Sequence, residues 1–357
     1  MSLTILSVGY ALAPVSPDTV GGAEQVLSAL DRALVASGHR SIVVAPERSR
    51  VAGRLITTAK LPEHITDDAR TAIERRQREA IEQTLTEHPI DLIHAHGLDF
   101  AEHLPQTNVP TVITLHLPAE FYRPEALVMH PKAWFQCVSA DQQRRFPPLP
   151  NMLDPIPNGV PVDRLQAHHA RRDFALALGR ICPEKGFHLA LDAARLASMP
   201  LLLGGQVFPY EAHQQYFSQQ IRPRLGRDAR FLGPIGFARK RRLLTAARVL
   251  LVPSLVPETS SLVAMEALAC GCPVVAFPAG ALHDIVEPGV TGFLVSTAEE
   301  MADAIPLCDG IDRQRCRTTA RQGFSLDAMI ASYFRVYQRL AAAAPRFVAT
   351  RSLQRPR

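Results

Sequence analysis

Aromatic residues are scarce in this chain of 357 residues, which has one Trp and six Tyr. No basic run is interleaved with aromatics, so nucleic acid is not an expected partner. No stretch approaches eighteen consecutive apolar residues, which argues against a membrane-spanning helix. The six cysteines, at 137, 182, 270, 272, 308 and 316, form no Cys-x-x-Cys unit. Their spacing speaks against a zinc ribbon or a redox dithiol and fits a reduced, cytoplasmic setting. The opening MSLTILSVGYALAP lacks the basic start of a signal peptide and reads as a first strand. No G-x-G-x-x-G is found, which counts against a nicotinamide enzyme. Asp-x-Asp is also missing, so the chain offers no acidic pair of that kind for a metal.

Other features are plentiful. At this length a single core has usually stopped growing, so two domains are expected. Hydrophobic residues make up 47% and charged residues 20%, as in a globular protein. The net charge of +5 suits an anionic ligand or an anionic membrane surface. Part of that charge sits in residues 341–357, where Arg346, Arg351, Arg355 and Arg357 stand without an acid. This stretch reads as a disordered basic tail that offers a peripheral contact to anionic lipid.

Strand and helix patterns alternate along the chain. Strands are predicted at 3–8, 41–45, 90–94, 111–115 and 135–138, with helices over 24–37 and 65–88. The first helix carries Val26, Leu27, Leu30, Ala33 and Leu34 on one face and stops at Gly38. The second half repeats the plan, with strands at 174–178, 200–204, 229–232, 248–252, 273–277 and 292–295. Such alternation predicts parallel sheets with helices on both faces. The composition turns to Pro, Gly and Asn near 158–166, which marks the linker. The predicted division is 1–160, 161–323, a helix over 324–340 and the tail.

Four groups of residues carry chemical promise. Glu258 and Glu266 lie in VPSLVPETSSLVAMEALACGCPVVAF. Glu258 falls on the loop at a strand's carboxyl end, where open α/β sheets bind ligands. Glu266 falls about two turns into a helix predicted over 260–270. Ser260 and Ser261 stand at its entrance and Gly271 at its left-handed C-cap. A helix start of this kind attracts phosphates. Gly21-Gly22 precedes the first helix, and glycines there let a ligand approach the backbone. Arg180 and Lys185, in GRICPEKG, can hold a diphosphate through a guanidinium fork and a point charge. His94 and His96 end a predicted strand without a third metal ligand, and His116 ends another. Ser139 is placed to cap a short helix.

The segment PE…SLVAMEALACGCPVVAFPAGALHDIVEPGVTGFLV resembles the donor-binding segment of glycosyltransferase family 4, whose members are retaining enzymes of the GT-B fold. GRICPEKG is similar to that family's phosphate loop, and the strand–Gly-Gly–helix order is similar to its acceptor-side glycine loop. The resemblance runs from residue 21 to residue 340. It implies two doubly wound Rossmann-like domains facing a central cleft, with a C-terminal helix crossing back to the first domain. It implies a nucleoside diphosphate sugar donor of UDP or GDP type and an acceptor hydroxyl on a saccharide, lipid-linked or small molecule. It implies no cofactor and no metal. The implied catalytic residues are His116, Arg180, Lys185 and Glu258. Donor binding would fall to Gly21, Gly22, Arg180, Lys185, Glu258, Ser260, Ser261, Leu262 and Glu266. The chain departs from the family at Ser260 and Ser261, where Phe-Gly is usual. Two alternatives stay open at this point: a GT-B nucleotide-sugar epimerase, and a non-catalytic nucleotide-sugar binder.

Overall fold

The structure, a computed structural model, describes residues 2–62 and 65–343. Beyond Ala343 the expected basic tail lies outside the described residues. The first sheet contains β1 (Thr4–Val8), β2 (Arg40–Ala45), β3 (Arg54–Thr57), β4 (Leu92–Ala95), β5 (Thr111–Leu115) and β6 (Trp134–Cys137), in the order β3-β2-β1-β4-β5-β6. The second contains β7 (Ala175–Arg180), β8 (Leu201–Gln206), β9 (Ala229–Phe231), β10 (Val249–Val252), β11 (Val274–Ala276) and β12 (Gly292–Leu294), in the order β12-β11-β10-β7-β8-β9. Every pairing within them is parallel. Strand order reverses beside β1 and beside β7, and a crevice opens at the carboxyl ends of strands at such a switch point.

The central strands read as unbroken apolar runs because helices cover both faces of each sheet. All five residues of β1 and all four of β10 are buried. β3 was not foreseen, since Arg-Leu-Ile-Thr is an edge strand with no fully buried residue. β4 runs to Ala95, so His94 lies inside the strand rather than at its end. The first helix spans Gly22–Ala36 and closes as expected, with Gly38 at φ +77. His39 N–H donates to the Leu34 carbonyl and Gly38 N–H to that of Val35, the Schellman pattern. Ser139 caps the helix Ala140–Arg145 by accepting from Gln142 N–H at 3.1 Å. In the helix Phe187–Leu196 the buried face is Phe187, Ala190, Leu191, Ala193 and Ala194.

The last helix, Leu326–Ala343, crosses back to the first sheet. Its Met329, Tyr333, Tyr337 and Leu340 pack with Ile5, Val26, Leu30 and Leu34. Each such buried side chain is worth about 1.5–3 kcal/mol. The Tyr337 hydroxyl bonds His94 Nδ1 at 2.7 Å, and Thr114 Oγ1 meets His94 Nε2 at 2.7 Å. His94 is therefore a satisfied core residue. The chain passes between the sheets at Val160, which pairs with Ser325. No helix among the described residues is long and apolar enough to cross a membrane.

Candidate active site

The crevice between the two sheets holds a cavity of about 470 Å3 lined from both halves. The ten residues that the resemblance implies for catalysis or donor binding all line it. The second half supplies the charges. β7 ends in Arg180, and the turn Pro183–Lys185 follows. Gly186 closes that turn at φ +61, and a Cβ there would sit 2.1 Å from the Pro253 carbonyl oxygen. The two loops therefore meet backbone to backbone, and Leu255 N–H donates to the Glu184 carbonyl at 2.8 Å. This contact brings Lys185 Nζ within 2.6 Å of Glu258 Oε1. The Ser254 hydroxyl donates to the same oxygen. Glu258 is clamped from behind as well, since Ala281 N–H donates to its carbonyl at 2.8 Å.

Glu266 sits one helix away on Leu262–Ala269, which is shorter than expected. This helix ends as predicted at Gly271, φ +75, with Cys272 N–H on the Ala267 carbonyl. Its start differs from the expectation of serine caps. Ser261 stands at the N-cap position without a side-chain cap bond. Ser260 Oγ is buried and has no hydrogen-bond partner among the described residues. Thr259 turns across the cleft instead, and its hydroxyl donates to the His116 carbonyl at 2.8 Å. Glu266 is held by Lys240, whose Nζ is 2.5 Å from Oε1. Lys240 was not foreseen. It belongs to the run FARKRR in the helix Phe237–Ala246, where nothing marks it from its neighbours. Arg180 makes no ion pair among the described residues and reaches the cavity exposed.

The first half contributes the helix start at Gly21-Gly22, His116 and two further groups, Glu24 and His96. Gly22 faces Leu262 of the other half, 3.5 Å from where its Cβ would be. His116 Nε2 lies 3.0 Å from His96 Nδ1, and the two rings stack. Burial holds the His116 imidazole down to about 3, and His96 is also pushed well below its usual range. Both rings are neutral at pH 7. Glu24 is buried, and its carboxylate folds back over Gly21, 1.8 Å from where a Cβ would stand. Burial raises its pKa, and the field of Arg180 offsets part of that shift. Beside the cavity, Cys182, Glu184 and His213 bring ligating atoms within 4.8 Å of one another. Burial lifts the Cys182 thiol to about 11, and the thiol leans on the Arg180 carbonyl.

Two facing parallel sheets, a crossing C-terminal helix and a charged cleft between them define a GT-B glycosyltransferase. Residues 20–164 match the family model described as Glycosyltransferase Family 4, and residues 172–307 match that of Glycosyl transferases group 1. The chain belongs to glycosyltransferase family 4. It is 26% identical over 339 residues to a phosphatidyl-myo-inositol mannosyltransferase of Mycobacterium tuberculosis, covering 84% of this chain and 85% of the relative. A D-inositol 3-phosphate glycosyltransferase of Mycobacterium bovis is 36% identical over 174 residues, 44% of this chain and 36% of that one. The fold superimposes on sucrose-phosphate synthase from Thermosynechococcus elongatus with a TM-score of 0.79 at 20% identity, covering 95% of this chain and 100% of that one. Anabaena HepE in complex with UDP and glucose gives 0.73 at 22% identity, covering 94% and 99%.

Proposed function

We propose that this glycosyltransferase takes its sugar from a nucleoside diphosphate sugar and passes it to an acceptor hydroxyl with retention of anomeric configuration. The observation that carries this reading is the pair of Lys–Glu contacts, Lys185–Glu258 and Lys240–Glu266, on one wall of one cavity. A buried carboxylate without a partner is costly, so each lysine keeps its glutamate neutralised while the site is empty. An arriving diphosphate draws Lys185 and the unpaired Arg180 toward its oxygens, which frees the Glu258 carboxylate for sugar hydroxyls. Glu266 takes the ribose hydroxyls in the same way. Ser260 Oγ, buried without a partner among the described residues, adds a donor toward the sugar or phosphate. Gly21, Gly22, Ser261 and Leu262 bring backbone close to the donor from either side, and His116 closes the site over the sugar.

Arg180 and Lys185 stabilise the charge that grows on the leaving diphosphate, a preorganised electrostatic effect. We infer attack on the face from which the diphosphate departs, the outcome that the resemblance to glycosyltransferase family 4 implies. The HepE complex with UDP and glucose, of the same fold, supports a nucleotide donor. The six cysteines are free and buried, which supports the reducing setting that belongs to this reading.

Calorimetry with UDP, GDP and ADP tests the donor half of the proposal. One of these nucleotides is expected to bind in the micromolar range and to raise the melting temperature by mass action. No binding of any nucleoside diphosphate would refute it.

A further inference from the structure

The two walls of the cavity differ in what they leave uncommitted. Arg180, Lys185 and Lys240, the cavity's cations, come from the second half. Among the described residues, none of the lining side chains from the first half is a lysine or an arginine. That wall presents Tyr10, Leu98, Leu117, Pro118, Phe121 and Tyr122, an apolar and aromatic shelf. Phe121 is 48% exposed at its rim, high for a large apolar side chain. Arg123, next to Tyr122 in the chain, is paired with Glu102, and Arg70 lies in the field of Tyr10 and Glu74.

Two polar groups on this wall await a partner. His96 is 3% exposed, yet its Nε2 has no hydrogen-bond partner among the described residues, and the residue lines the cavity. Its Nδ1 shares one proton with His116 Nε2. If His96 donates in that bond, its Nε2 is a bare acceptor. If His116 donates, neutral His96 carries its proton on Nε2. A hydroxyl satisfies either tautomer, because it both donates and accepts. An anionic oxygen satisfies only one. Glu24 is the second group, 7% exposed, and among the described residues its carboxylate accepts only from its own backbone N–H. It accepts from hydroxyls and repels anions.

We propose that the acceptor is an uncharged hydroxyl compound with an apolar or aromatic face, seated on the Leu98–Leu117–Phe121 shelf with its hydroxyls on His96 Nε2 and Glu24. This rests on the glycosyl-transfer reading above and narrows its acceptor. A phosphorylated acceptor, of the kind named for the inositol phosphate glycosyltransferase relative, would meet a carboxylate and no cation on this wall.

The test is saturation-transfer NMR on the full chain with 4-nitrophenyl β-D-glucopyranoside and its 6-phosphate, run with and without the nucleoside diphosphate found by calorimetry. Aryl and sugar protons of the neutral glycoside should both receive saturation, and its affinity should exceed that of the 6-phosphate at least tenfold. Glu24→Gln and His96→Asn should each weaken the glycoside about tenfold. Asn keeps an amide where Nδ1 stood, so the bond to His116 can survive. His96→Gln, which restores an amide near Nε2, should recover much of the affinity. Nucleotide affinity should stay within twofold in all three variants. Equal or tighter binding of the 6-phosphate, no binding of the neutral glycoside, or full affinity in both Glu24→Gln and His96→Asn would overturn the proposal. Absent nucleotide binding would instead strike the glycosyl-transfer reading, since the glycoside is also measured alone.

Discussion

The two halves of the molecule are built on one plan, yet their cleft walls behave oppositely. Each half is a six-stranded parallel sheet with its switch point toward the cavity. The second wall is charged and internally paired, lysine to glutamate, with Arg180 left over. The first wall is largely apolar and has no cation among its described lining residues: burial keeps its histidines uncharged, and Glu24 is its one carboxylate. The same architecture thus serves two tasks. Phosphate chemistry needs cations that can be released from a temporary partner. Recognition of a neutral hydroxyl compound needs shape and a few exact hydrogen bonds.

Removing what supports the first wall gives the largest expected effect. Truncation after Gly323 strips Met329, Tyr333, Tyr337 and Leu340 from its core. The sum of their burial is comparable to the whole stability of a domain. The truncated chain should be insoluble or should lose its cooperative melting transition. A soluble, active product would break the view that the first half depends on this helix.

Lys185→Ala strikes the second wall. Turnover should fall about 100- to 1,000-fold, the usual loss when a leaving-group stabiliser is removed. It also leaves Glu258 buried against Ser254 alone, which should cost about 1–3 kcal/mol of stability. Adding Glu258→Gln should return most of the stability and none of the activity. If the double variant melts no higher than the single one, the pairing is not what keeps the empty site stable.

Glu266→Gln should weaken nucleotide binding by about 1–3 kcal/mol, the range for a charged hydrogen bond. Lys240→Met should have a smaller effect, because the lysine is a partner of Glu266 in the empty site. Calorimetry on both variants separates the two roles. Unchanged affinity in folded Glu266→Gln would remove that residue from the site.

A further effect is a pH dependence that belongs mostly to the first half, with His188 and His213 lowered by burial in the second. His94, His103 and His116 are each held down to about 3 by burial, and His96 lies well below its usual range. The unfolded chain takes up those protons near pH 6.5 while the folded chain does not. Stability is therefore full above that pH and is lost as pH falls below it. Asp99, pushed up to about 7, and Glu24, also raised, act in the opposite sense. The lowered histidines, which also include His130, outweigh the raised carboxyls Asp99, Glu24 and Glu74, so the melting temperature should drop between about pH 6.5 and 5. A flat or rising profile would mean that these imidazoles become charged without unfolding.

How far the sequence could be read also differs between the walls. Buried parallel strands announce themselves as apolar runs, and glycine-closed loops such as 179–186 carry their own geometry. Glu258, Lys185 and Arg180 were legible because a strand end and a helix start bracket them. Lys240 was not, since it is one of several adjacent cations and only its position beside Glu266 marks it. Glu24 and His96 were less legible still. Their significance lies in burial without a partner, a property of three-dimensional surroundings. Thr259 gives no local signal either, since its role is a hydrogen bond across the cleft to the His116 carbonyl.

On the reading proposed above, both reactants meet on the diphosphate side of the sugar, between a wall that bears cations and one that bears none. NMR of the glycoside formed from an α-linked nucleotide sugar tests it most directly. An α-linked product, with the donor's anomeric configuration kept, is expected. A β-linked product, or an epimerised donor with no glycoside, would contradict it.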